Sequence, residues 1–80
     1  MSGLPVISGR EAVAALQQIG YVAVRQKGSH IRLRHPADAG RAPVTVPDHK
    51  ELKSGTLRTI IRDAGLSVEE FRGPVAMSGP

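Results

Sequence analysis

The hydrophobic period of this chain changes from helical to strand-like at Gly20. Before it, Ala12, Val13, Leu16 and Ile19 recur at the spacing of one helical face. After it, "YVAVRQK" and "HIRLRH" alternate apolar and polar residues, the pattern of half-buried strands. Ser8-Gly9-Arg10-Glu11 ahead of the first run is a capping-box pattern, with Ser8 as N-cap and Glu11 at N3. Gly20 supplies the stop.

Only Gly28 and Ser29 separate the two alternating runs, and Gly in the first of two turn positions predicts a type II′ hairpin. "PADAGRAP" is loop by composition, and "VTV" between Pro43 and Pro47 predicts a short edge strand. A second helical stripe follows in Leu57, Ile60, Ile61 and Ala64, with Ser54 as its expected N-cap and Gly65 as its end. "SVEE" at Ser67–Glu70 predicts one short capped turn that tucks Phe71 against the core. Residues 73–80 are expected to be a mobile tail. The reading is therefore one α+β domain over 1–80, ordered from about 6 to 72. Its elements run α-β-β-β-α, with two helices on one face of a three-stranded antiparallel sheet.

A turn at Gly28-Ser29 sets Lys27 opposite His30, Arg25 opposite Arg32, Val24 opposite Leu33 and Ala23 opposite Arg34. By the two-residue period, Val22, Val24, Ile31 and Leu33 would then face the core. Val13, Leu16, Ile19, Val44, Val46, Leu57, Ile60 and Ile61 would complete it. Ala23, Arg25, Lys27, His30, Arg32 and Arg34 would share the open face. Like charges directly opposite each other cost up to roughly 1 kcal/mol per pair. Either the side chains splay apart in water or an anion relieves the repulsion, and the second alternative describes a phosphate-binding face.

Composition narrows the chemistry. Eighty residues with 40% apolar content leave room for a thin core but no deep cleft, so a site would lie in a surface groove. The absence of cysteine excludes disulfides and thiol chemistry and suits a reducing cytoplasm. No signal-peptide pattern or membrane-length apolar run appears, which points to a cytoplasmic protein. A net charge of +4 favours a polyanionic partner. One Tyr and one Phe give base stacking little to work with. No nucleotide-binding glycine motif is present and the three histidines lack metal-ligand spacing, so no cofactor and no metal are expected.

A lone surface histidine is more often incidental than catalytic. His30 differs in following a Gly-Ser turn, where backbone can approach a ligand, and in lying among cations able to stabilise a pentavalent phosphate. His35 falls on core parity at a strand end and suits a hydrogen-bonded structural role. His49, beside Asp48 in a loop, is the next candidate after His30.

Gly28-Ser29-His30, Val44-Thr45-Val46-Pro47-Asp48-His49, Gly55-Thr56-Leu57-Arg58-Thr59-Ile60-Ile61 and the closing Ala64 to Phe71 together resemble the HicA-type toxins of toxin–antitoxin modules. The resemblance runs over roughly residues 8 to 72. It implies a fold like the double-stranded-RNA-binding domain (dsRBD-like), ribosome-independent mRNA cleavage with His30 as catalytic residue, and a HicB-type antitoxin as partner.

The expectation is a metal-independent endoribonuclease, the toxin of a type II system acting in the stress response. His30 would be general acid or base, with Arg25, Lys27, Gly28, Ser29, Arg32 and Arg34 binding RNA. A non-catalytic RNA-binding module is the rival, and Lys50, Lys53 and Arg58 near the second helix could serve it. A purely protein-binding subunit is the third possibility.

Overall fold

The computed structural model describes residues 4–78. Its elements are α1 (Gly9–Gln18), β1 (Val22–Lys27), β2 (His30–Arg34), β3 (Val44–Pro47), α2 (Ser54–Asp63) and α3 (Val68–Ser78). The sheet is antiparallel in the order β1-β2-β3, so the Pro-framed strand lies at an edge as expected.

Both expected capping boxes form. The Ser8 hydroxyl accepts from the Glu11 N–H at 3.1 Å, and the Glu11 carboxylate accepts from the Ser8 N–H at 2.8 Å. Ser67 and Glu70 repeat the arrangement ahead of α3 at 3.0 and 2.8 Å. At α2 the expected cap is displaced by one residue. Lys53 is the N-cap, without a side-chain bond, and Ser54 is the first helical residue.

The single turn expected at Ser67–Glu70 continues as α3 to Ser78, through Gly73 and Pro74, where a tail was expected. Phe71 is fully buried and α3 packs against α1. The last two residues of the expected tail lie outside the described residues.

The core holds Ala12, Ala15, Leu16, Ile31, Leu33, Val44, Val46, Leu57, Ile60, Ile61 and Phe71, with Val13 and Ile19 partly buried against it. On β2 and β3 these residues alternate with exposed His30, Arg32, Arg34 and Thr45. One sheet face is therefore covered and the other open.

Two expected core residues are not there. Val22 and Val24 are 47% and 52% exposed. The hairpin register holds at Lys27–His30, Gln26–Ile31 and Arg25–Arg32, then slips, so that Ala23 pairs with Leu33 and Val22 with Arg34. Val24 is the extra residue of a β-bulge, and one inserted residue exchanges the faces of everything beyond it.

Tyr21 takes up the core space near this end of β1. Its hydroxyl donates to the Ala42 carbonyl at 2.9 Å, and burial pushes its pKa up. His35 meets the Tyr21 ring edge-on at 5.1 Å and donates from Nε2 to the Ile19 carbonyl at 2.7 Å. That is the structural role its parity predicted. Gly20 has φ +106° and lies against the His35 imidazole, where a Cβ would come within 2.6 Å of Nε2. The β2–β3 loop is tied down by Arg41, which bonds the Ala64 carbonyl at the end of α2 and pairs with Asp38 at 3.3 Å.

Candidate active site on the open sheet face

At the hairpin, Gly28 adopts φ +59° while Ser29 does not take a positive φ, which is the type II′ signature. The turn is fastened from two sides. Gln26 Nε2 donates to the Gly28 carbonyl at 3.2 Å, and the Asp48 N–H donates to the Ser29 carbonyl at 2.6 Å. Asp48 is itself held by Arg10 of α1 at 3.1 Å.

Arg25, Lys27, Gly28, His30, Arg32 and Thr45 line one shallow groove of about 420 Å³. Arg25 and Arg32 stand opposite each other, as do Lys27 and His30. No acidic side chain lines the groove, so its cations face one another and solvent. Arg32 Nη1 donates to Thr45 Oγ1 at 3.0 Å, which ties one end of its guanidinium to the neighbouring strand β3. The imidazole of His30 is exposed at the turn end of β2. The groove thus sets an imidazole, a group able to take up or give a proton, among positive charges able to stabilise an anionic oxygen.

Not every expected site residue enters this groove. Ser29 sits exposed in the turn but does not line it. Arg34 stands on the same face, opposite Val22, and lines a neighbouring groove with Val22, Val24, His35, Pro36 and Ala39. His49 is exposed, its carbonyl accepting from the Gly9 N–H at 2.8 Å. Lys53 and Arg58 border a different groove near the N-terminus of α2.

Thr45 is the groove residue that sequence reasoning missed. The alternation of Val44-Thr45-Val46 does place it on the open face. Its position opposite Arg32, however, is set by the β2–β3 register, which a long irregular loop leaves undetermined from sequence.

Among the described residues no group of three His, Asp or Glu side chains could hold a metal ion, and no helix is long and apolar enough to cross a membrane.

A basic α+β domain with an open cationic sheet face and a histidine at the hairpin turn defines a class, and comparison with known proteins gives the family. The profile of the family described as "HicA toxin of bacterial toxin-antitoxin" matches residues 9–66. The chain belongs to the HicA toxin family. Its fold is similar to a chain from the solved "Toxin-Antitoxin complex from Streptococcus pneumoniae", with 36% identity and a TM-score of 0.62, covering 75% of this chain and 98% of that one. Comparison with curated proteins gave no match.

Proposed function

We propose that this chain is the toxin of a type II toxin–antitoxin pair and a metal-independent endoribonuclease. The observation that carries the reading is the groove in which exposed His30 stands beside Lys27, Arg25 and Arg32 with no acidic neighbour. Family membership and the complex formed by the structural neighbour support the toxin role and an antitoxin partner.

In the proposed reaction the RNA 2′-oxygen forms a bond to the adjacent phosphorus and the bond from phosphorus to the 5′-oxygen breaks. The products are a 2′,3′-cyclic phosphate and a 5′-hydroxyl. His30 removes the 2′-hydroxyl proton, and water or the resulting imidazolium returns one to the leaving oxygen. Lys27 stabilises the extra negative charge on the pentavalent phosphate. Arg25, Arg32 and Arg34 hold the flanking backbone, while Gly28 and Ser29 let it approach the turn closely.

The test is His30→Ala. The site is exposed at a strand start, so stability should change by no more than about 0.5 kcal/mol. RNA binding should persist, and cleavage should fall by at least about 100-fold. Parental products should carry cyclic phosphate ends and form in the presence of EDTA. Cleavage by the variant at the parental rate would move the assignment to His49. Loss of parental activity in EDTA, restored by Mg²⁺, would replace the mechanism.

A further inference from the structure

The bulge at Val24 leaves an apolar groove on the same sheet face as His30. Val22, Val24, Pro36 and Ala39 line it together with Arg34 and His35, over about 380 Å³. The bulged register buries Tyr21 but leaves both valines out of the core. Fully burying a valine is worth about 1.5 kcal/mol or more, and here two remain half in water. Val6 is the other large hydrophobic exposed among the described residues, so the pair is not part of a generally apolar surface.

The surroundings discriminate between possible occupants. Strands β1, β2 and β3 carry Arg25, Lys27, Arg32 and Arg34 but no Asp or Glu, and all four cations are exposed. A second copy of the chain docking face to face would set these cations against their own images. RNA complements the cations but not the valines, since no Phe, Tyr or Trp lines the groove for a base to stack on. An acidic protein complements both, placing carboxylates on the arginines and an aliphatic side chain between Val22 and Val24.

We infer that the Val22–Val24 groove is an anchoring subsite for an acidic protein partner, used by that partner and not by RNA. The inference rests on the proposed toxin–antitoxin pairing and deepens it. The partner competes with RNA for the cations but takes its residence time from an apolar contact that RNA cannot make. Truncating the anchor should therefore act on dissociation, whereas removing charge should act on association.

The experiment uses the full chain and the protein encoded by the adjoining reading frame. Val22→Ser/Val24→Ser is compared with Arg32→Glu and with the parent for binding of that protein, binding of RNA, and self-association. Both valines are surface residues, and unchanged thermal unfolding will confirm that the double variant folds. Its affinity for the partner should fall by at least about tenfold through faster dissociation, with RNA binding and cleavage unchanged. Unchanged partner affinity in the valine variant, with weakening in Arg32→Glu, would overturn the anchor and leave the pairing intact. A loss of RNA affinity would assign the groove to RNA. A parental dimer dissociated by the valine substitutions would assign it to a second copy. Failure of the parent to bind the adjoining product would overturn the pairing, and the inference with it.

Discussion

At the scale of single residues, Gly9 connects the first helix to the turn beside His30. The α1 N-terminus runs so close to the segment after β3 that a Cβ at this position would lie 1.9 Å from the Pro47 carbonyl oxygen. That oxygen belongs to the backbone and cannot rotate away. The Gly9 N–H meanwhile donates to the His49 carbonyl, and the Asp48 N–H between them donates to Ser29. Displacing residues 47–49 therefore pulls on the hairpin turn. Gly9→Ala should destabilise the fold by about 1–3 kcal/mol as an overpacked site. It should also lower cleavage by more than the loss of folded protein accounts for. Gly28→Ala is the contrast, because a Cβ there meets nothing within 4 Å and only the positive φ resists it. Its cost should be about 1 kcal/mol. Urea unfolding of the two variants measures the difference, and equal stability of Gly9→Ala and the parent would show that the approach is not a constraint.

At the scale of elements, the capping box before α3 makes the helix start sensitive to acid. The Ser67 N–H, which donates to the Glu70 carboxylate, and next the Ser67 side chain hold that carboxyl below the ordinary glutamate range. A carboxyl whose folded pKa is depressed stabilises the fold above its unfolded pKa and loses that contribution as pH falls through the folded value. Acidification below about pH 4 should thus loosen the α3 start in the parent. Glu70→Gln keeps an acceptor but cannot titrate, so its melting temperature should fall less between pH 7 and pH 3. Parallel curves would remove Glu70 from the acid response.

Both boxes were legible because their spacing is local. The continuation of α3 was not, since Gly73 and Pro74 are poor helix formers and packing of Phe71 and α1 decides the matter. The bulge left no mark either. Val22-Ala23-Val24 alternates equally well in either register, and burial of Tyr21 accompanies the choice. His30, Arg25, Lys27 and Arg32 were correctly brought together because they lie between the turn and the bulge. Arg34 lies beyond it, and the groove it lines could not be read from the pattern.

At the scale of the whole molecule, the net charge of +4 matters less than its placement. Four of the seven acidic residues, Glu11, Glu70, Asp38 and Asp48, lie in helix caps and loops, each bonded to a nearby backbone or arginine partner. The sheet keeps its cations uncompensated. On β2, Arg32 and Arg34 project from the same face two residues apart, a step of about 6.7 Å, comparable to the spacing of successive phosphates along a single strand. Four such contacts, from Arg25, Lys27, Arg32 and Arg34, give an expected slope of log affinity against log salt of about −2.8. Affinity for single-stranded RNA should then fall roughly fifty-fold between 50 and 200 mM salt. Each single alanine substitution of these four should flatten the slope by about 0.7, whereas His30→Ala should leave it near the parental value. Fluorescence anisotropy across a salt series, with a non-cleavable RNA lacking 2′-hydroxyls at the scissile position, reads these slopes without interference from turnover. A parental slope near zero would remove the phosphate-binding role from this face, because exposed cations that engage a polyanion must release its counterions.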